Sequence, residues 1–361
     1  MNSFDTVIVG AGPAGIATSF FLQRRQISHL VLEKDRAFSQ WYKRWDSFHM
    51  NTANWMNELP GAAVEFAPKA DRGALGTRAD AIRYFETYLS AVDPPIREGV
   101  NVKALKQDIA QNWLVIADDT ILLTNNVVIC TGEFQQPRIP SLSSHLPGTL
   151  PQLHSRHYQN PEQFSTAQVL VVGSGNSGIQ ICEDLARSER FDMITLAVSD
   201  NITVPLEIMG VSVFRIAKWL GALDASPNSW LGRRVVSKER GDPVIPPSPK
   251  QLADIYDVKL VGKVTGFDGS KLQCSDGRTV SLKNLSIVWC TGFQQRYDLI
   301  DVLDTKRVFD GSGRPIHHRG VASGAPGLYF VGLRFQSTIS SHALYGISHD
   351  AKYVAQHIRG S

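Results

Sequence analysis

Apolar positions fall in short β-branched runs, each followed by glycines and then by a helical spacing. Residues 4–15 read FDTVIVGAGPAG. Consecutive apolar residues over Val7–Val9 predict a strand buried on both faces. A helix is expected from Pro13 to Arg24, because proline is tolerated in a first helical turn, and a strand over His29–Glu33. Apolar residues at Ile82, Phe85 and Leu89 predict a helix over Ala79–Ala91, closed by Asp93-Pro94-Pro95. Strand-forming segments follow at Asn101–Leu105, Trp113–Ile116 and Thr120–Leu123. The plan then recurs, with AQVLVVGSGNSG at 167–178, a helix over Gly178–Arg187 and a strand over Thr195–Val198. Segment Arg240–Lys250 holds prolines 243, 246, 247 and 249 and reads as a surface loop. A strand over Gly327–Val331 and a helix over Ser340–His357 end the pattern. The apolar stretch Ile208–Leu223 is read as core, in preference to an active-site cover or a dimer face.

Both glycine motifs precede, at a distance, an apolar run ending in Cys-Thr-Gly. One is Val127-Val128-Ile129-Cys130-Thr131-Gly132, the other Ile287-Val288-Trp289-Cys290-Thr291-Gly292. Gly10 and Gly132 stand 122 positions apart, and Gly173 and Gly292 stand 119 apart. Near-equal spans predict an α/β fold of two Rossmann-like dinucleotide-binding domains, the smaller inserted into the larger. The expected boundaries are 1–140 with 291–361 for an FAD-binding domain and 141–290 for an NAD(P)H-binding domain.

The glycine spacing carries the chemistry. Gly10 permits a tight turn after the strand, Gly12 lets backbone approach a pyrophosphate, and Gly15 lets helix and strand pack closely. The helix that starts at Pro13 supplies unpaired N–H groups, from Ala14 onward, for that phosphate. Glu33, 18 residues past Gly15, stands where an acid would bond a ribose diol. An acid there repels a 2′-phosphate, so the first site suits FAD or NAD. Gly173, Gly175, Asn176, Ser177 and Gly178 repeat the arrangement, and Ser199 and Asp200 occupy the corresponding acid position. No arginine stands there to pair a 2′-phosphate. The expectation is therefore NADH use, with NADPH served through a more distant base such as Arg215, Lys218 or Arg234.

Composition narrows the class. The chain has 361 residues, 43% hydrophobic and 20% charged, with a net charge of +3. No run of five like charges suggests nucleic acid, and no apolar stretch of about 18 residues suggests a membrane span. No basic, apolar leader is read at the start, and the end is short and polar. Four cysteines (130, 182, 274, 290) form no CxxC pair, so no disulfide scaffold and no metal site is expected. The setting reads as cytoplasmic, with Cys130 and Cys290 as buried, inert thiols.

Several stretches resemble the flavin-containing monooxygenases, closest to their short bacterial members and similar also to plant indole-pyruvate monooxygenases. They are Trp41 to Thr52 (WYKRWDSFHMNT) with Trp55-Met56 and Leu59-Pro60-Gly61; Leu153-His154-Ser155-Arg156-His157-Tyr158; Cys290-Thr291-Gly292-Phe293; and Leu328 to Leu333. The resemblance implies cofactor contacts at Lys34, Gln40, Trp41, Trp45, His49, Val102, Thr131, Gly132, Thr291, Gly292, Gly332 and Gln336, with Cys290 to Phe293 as a hinge between the domains and Trp41 and Trp45 either near the flavin or filling core. It implies that Asn51 helps hold the nicotinamide and the peroxidised flavin, and that His154 is a linker rather than an acid or base. Departures occur where a usual glycine is Leu150, a Gly-Gly is Ser39-Gln40 and a frequent proline is Ala53. Tyr158-Gln159, where Baeyer–Villiger enzymes favour Trp followed by Pro or Asp, tilts the expectation toward heteroatom oxygenation.

The implied activity uses FAD, NADPH or NADH, dioxygen and a small-molecule substrate, with a flavin hydroperoxide oxygenating thioether sulfur or amine nitrogen. Rivals are Baeyer–Villiger oxygenation, a reductase passing electrons to a protein acceptor, a disulfide reductase (which needs a cysteine pair beside the flavin) and a nucleotide-bound sensor. Neither the physiological substrate nor the oligomeric state is legible, and a homodimer stays open.

Overall fold

A computed structural model describes residues 4–61, 64–68, 71–108, 110–118, 120–199, 203–237, 242–302 and 304–358. Strand β1, Phe4–Val9, forms where the sequence is apolar and β-branched, and Val7 and Ile8 are fully buried. It feeds α1, Pro13–Arg24, and β2, His29–Leu32, returns parallel to β1 with Leu32 opposite Val9. Strand β3, His49–Ala53, leaves this sheet and pairs with Leu75–Thr77. Helix α2, Arg78–Val92, starts at a reciprocal cap between Thr77 and Asp80 and ends at Asp93 in the left-handed region. Strands β4 (Val102–Gln107), β5 (Trp113–Ala117) and β6 (Ile121–Ile129) form an antiparallel meander. The far end of β6 then pairs parallel with β1, Ile129 opposite Val9.

The middle of the chain builds a second sheet. Its strands are β7 (Gln152–His154), β8 (Gln168–Val172), β9 (Met193–Ala197), β10 (Lys259–Val261) and β11 (Leu285–Trp289). All pair in parallel, in the order β7-β11-β8-β9-β10. Helix α3, Asn176–Arg187, follows β8 as α1 follows β1. Three further helices precede β10: α4 (Val213–Trp219), α5 (Trp230–Val236) and α6 (Pro249–Tyr256). The chain then returns to the first sheet, where β12, Leu328–Phe330, pairs parallel with β6, and α7, Leu344–His357, packs on α1.

The two halves match in detail. In each, the strand ending in Cys-Thr-Gly lies beside the glycine-motif strand, with Trp289 opposite Val172 as Ile129 is opposite Val9. The α/β expectation and most elements hold. Four details differ. Thr120–Leu123 and Val127–Ile129 belong to one long strand, because the polar Thr124 and Asn126 are satisfied inside it by backbone carbonyls. The proline-rich segment is not simply surface loop: Val244 and Ile245 are buried, and α6 opens at Pro249 behind a Ser248 cap. The closing helix starts at Leu344, four residues late, because Ser340 and Ser341 are held by backbone and side-chain bonds outside any helix. The stretch Ile208–Leu223 is not core, since Met209 is 99% exposed and Trp219 73%.

Third glycines in both motifs are under the tightest constraint. A Cβ on Gly15 would overlap the carbonyl oxygen of Gly10, and one on Gly178 would overlap that of Gly173. Gly15→Ala should therefore destabilise the chain by about 1–3 kcal/mol through overpacking. Urea unfolding read by circular dichroism checks this, and an unchanged midpoint would refute it.

Candidate active site

Helices α1 and α3 both begin at a glycine N-cap with no side-chain cap and no acid in the first turn. Their first N–H groups are thus available to an anion, with the helix dipole favouring negative charge. Both N-termini open into one cavity of about 1200 Å³. That exceeds the roughly 300–1,000 Å³ usual for a single ligand.

From the first half, Gly10, Gly12, Pro13, Ala14, Glu33, Lys34, Gln40, Trp41, Trp45, Asn51, Val102, Thr131, Gly132 and Gly332 line it. From the second half, Gly175, Asn176, Ser177 and Gly292 line it, and Arg234 joins them. Glu33 is buried and fixed by two backbone donors, Ala11 N–H at 2.8 Å and Asp35 N–H at 3.0 Å. Gly332 has a positive φ of +92° and backs onto Ala14, so a side chain there would crowd the loop. Trp41 lines the cavity and packs on Phe85 at 4.9 Å. Trp45 is buried against Phe48, and its indole N–H has no partner among the described residues. An orphaned buried donor, two uncapped helix starts and glycine loops open on the cavity side fit a pair of dinucleotides.

Other expected residues stand off the cavity for identifiable reasons. Gly15, Gly173 and Gly178 serve helix–loop packing. His49 turns its ring to the Met50 carbonyl and to Gln180. Gln336 is buried, and its amide is consumed by Leu333 N–H and by the Phe330 and Arg319 carbonyls. It shapes the loop carrying Gly332. Thr291 donates to the Arg138 carbonyl. Ser199 bonds Ser174 through both its backbone N–H (3.0 Å) and its hydroxyl (3.2 Å), and Asp200 lies outside the described residues. Of the more distant bases, Arg215 is exposed, and Lys218 sits over Trp55 and Tyr345 at 4.9 and 5.4 Å. Only Arg234 of the three borders the cavity.

Several lining residues escaped the sequence reading. Arg44 stacks on Phe134 at 4.6 Å, and burial with the nearby charge of Arg156 lowers its pKa to about 10. Asp242 bonds Arg334 at 2.9 Å and His342 at 3.2 Å, all three on the cavity wall. Val213, Phe214, Ala217, Leu223 and Leu231, from α4, α5 and their flanks, give the cavity an apolar side. Only the apolar stretch had a visible signal, and it was assigned to core.

His154 is buried between the two halves. Its Nε2 donates to the Gly292 carbonyl at 3.0 Å, and its Nδ1 accepts the Arg156 N–H at 3.1 Å. Burial lowers its pKa from 6.5 to about 4, overriding the carbonyl bond that raises it. The ring is therefore neutral, and both nitrogens are engaged.

Residues 7–202 match the family model described as pyridine nucleotide-disulphide oxidoreductase. The chain belongs to this family. It is 32% identical, over 98% of both chains, to an oxidoreductase named CzcO-like from Geobacillus kaustophilus (strain HTA426). It is 31% identical to the indole-3-pyruvate monooxygenase YUCCA1 of Oryza sativa subsp. japonica, over 59% of this chain and 53% of that one. In fold it is similar to a flavin-containing monooxygenase from Stenotrophomonas maltophilia, with a TM-score of 0.76, 21% identity and coverage of 99% and 98%. The resemblance read from the sequence and the two Rossmann-like units are thus borne out. Membership does not bring the disulfide chemistry of the family's name. Cys130 and Cys290 line the cavity, yet burial pushes the Cys130 thiol up to about 12 and Cys290 higher still. Neither can act as a thiolate nucleophile at neutral pH.

A histidine whose folded pKa is depressed stabilises the fold fully above its unfolded pKa, and that contribution is lost as pH falls toward the folded value. Stability should fall between about pH 6.5 and pH 4, and the fall should be shallower in His154→Gln. Parallel stability–pH curves for the two proteins would refute the assignment.

Proposed function

We propose that this chain is an FAD-dependent monooxygenase that draws hydride from NADPH or NADH and transfers one oxygen atom of dioxygen to a small soft nucleophile. Balanced for a thioether, NAD(P)H, a proton, dioxygen and the sulfide give NAD(P)⁺, water and the sulfoxide. The observation that carries the reading is the single cavity shared by two uncapped helix starts and rimmed by Trp41, Trp45 and Asn51. FAD, when bound, supplies the hydride acceptance and the oxygen activation that no side chain here can.

The chain's own residues bind, orient and exclude water. Gly12 to Ala14 and Glu33 would hold the pyrophosphate and ribose of FAD, with Trp41 and Trp45 against its ring system. Gly175 to Ser177 would hold the coenzyme pyrophosphate, and Asn51 would donate its amide N–H groups toward the nicotinamide. In this reading residues 1–140 and 291–361 form the FAD unit and 141–290 the coenzyme unit. The strand membership of the two sheets supports that division. The apolar wall of Val213, Phe214 and Ala217 suits an uncharged thioether or amine and keeps water from the reacting centre. The monooxygenase names borne by relatives favour oxygen transfer over electron delivery to a protein.

The direct test incubates the FAD-loaded protein with NADPH, dioxygen and an aryl methyl thioether. Coenzyme consumption, oxygen uptake and sulfoxide should match one to one. Turnover independent of oxygen, or protein that takes up no flavin, would overturn the reading.

Coenzyme choice depends on Arg234, the one of the three more distant bases that borders the cavity. Arg234→Ala should lower kcat/KM for NADPH relative to NADH by about fivefold, the loss of one solvent-screened charged hydrogen bond. An unchanged ratio would exclude this arginine from 2′-phosphate recognition. Asn51→Asp removes both amide donors from the site and should raise hydrogen peroxide release relative to sulfoxide. Unchanged coupling would count against Asn51.

A further inference from the structure

Gln180 lies on α3, five positions past Gly175, and is buried. Its side chain reaches out of the second half to β3 in the first. Its Oε1 accepts the His49 N–H at 3.3 Å, and its Nε2 donates to the His49 carbonyl at 3.1 Å and to Asn51 Oδ1 at 2.9 Å. Two of these partners are backbone groups, which leave no freedom of assignment. A main-chain N–H only donates and a main-chain carbonyl only accepts. The oxygen of Gln180 must therefore face the His49 N–H, and its nitrogen must face the His49 carbonyl. The ring nitrogen His49 Nδ1 lies 3.3 Å away, but it donates its own hydrogen to the Met50 carbonyl at 3.1 Å and cannot accept, so the remaining N–H goes to Asn51 and Asn51 must turn its oxygen toward Gln180. The Asn51 Nδ2 makes no hydrogen bond to another described residue, and Asn51 lines the cavity. Both of its N–H groups are left to a ligand.

We propose that Gln180 is the positioning residue that holds Asn51 as a hydrogen-bond donor toward the coenzyme, a role that rests on the reading of Asn51 given above. A free asparagine amide can turn over and present a lone pair instead of N–H groups, repelling the acceptor atoms of a bound coenzyme. Gln180 forbids that rotation. It also ties the rotation to the coenzyme, because it rides on the helix whose N-terminus is the second glycine loop. Displacement of α3 would carry Asn51 with it.

The test uses FAD-loaded Gln180→Glu and Gln180→Met, with NADP⁺ binding followed through the flavin absorbance. An ionised glutamate keeps the size and the His49 N–H bond but offers Asn51 no donor, so Asn51 reverses. NADP⁺ should bind about tenfold more weakly, with a larger share of hydrogen peroxide on turnover and unchanged flavin content. The methionine variant, which offers Asn51 no donor either, should bind NADP⁺ weakly as well. In an Asn51→Ala background the glutamate substitution should add nothing. Wild-type affinity in both Gln180 variants, with weak binding in Asn51→Ala, overturns the inference and leaves the role of Asn51 standing. Wild-type affinity in Asn51→Ala overturns both. An undiminished Gln180→Glu effect in that background assigns Gln180 another route and overturns the inference alone.

Discussion

At Gly10 and Gly173 the chain turns with φ of +104° and +109°, directly over the carbonyl of Cys130 or Cys290 on the neighbouring strand. A side chain at either position would collide with that carbonyl, and one at Gly15 or Gly178 would collide with the turn itself. These close approaches bring the first turn of each helix down onto the end of its sheet. The N-cap of each helix is itself a glycine, Gly12 or Gly175, so no side chain caps the first N–H groups of α1 and α3. The availability of these N–H groups follows from the glycine caps rather than from any charged residue. The Cys-Thr-Gly strand ends lie beneath both loops, with the Cys130 and Cys290 carbonyls and Cβ atoms against the motif glycines.

Two such sites make one active centre only if they face each other, and a small set of polar contacts holds them so. His154 bonds Gly292, Gln180 bonds His49 and Asn51, and the Asp46 N–H donates to the Gln159 carbonyl at 2.9 Å. Asn160 donates to the Asp46 carboxylate at 2.9 Å, and Gln159 to the Lys43 carbonyl at 3.4 Å. Most of these contacts join the 41–52 segment to the second glycine helix or to the turn before its strand. The segment that resembles a flavin lining is therefore also the segment through which the halves are registered. Several side chains that look like ligand contacts by position, His49 and Gln336 among them, are instead committed to backbone.

The fold was largely legible because its signals are local. Strand Val7–Val9, helix Pro13–Arg24 and the two glycine motifs are each specified by a dozen residues, and the repeat supplied the topology. The elements that differ turn on tertiary partners. Val244 and Ile245 lie buried among prolines, and Thr124 and Asn126 stay inside a strand because distant carbonyls accept their hydrogens. In the site, glycine and tryptophan positions were legible by spacing. Gln180 was not, because its partners lie more than a hundred residues away. Nor was the exposure of Trp219 and Met209, since apolar composition alone cannot distinguish a core from a cavity wall open to solvent.

Three titratable groups at or beside the cavity, Asp242, Cys130 and His154, are each held in one charge state near neutrality. Glu33 is pinned by two backbone N–H groups. Burial pushes Asp242 upward, but the hydrogen bonds and charges of His342 and Arg334 outweigh it and hold the carboxyl at about 2. The Cys130 thiol is pushed up to about 12 and His154 down to about 4, both chiefly by burial. Asp242, Cys130 and His154 therefore do not exchange a proton near neutrality, and none of the three can serve as a general acid or base there. Through these three groups the wall makes and breaks no bonds. What it does offer is one space between two glycine loops, an Asn51 amide held by Gln180 and an apolar side from α4. A redox reaction carried by bound cofactors requires that of its protein, and stray proton donors beside the reacting centre would only open side reactions.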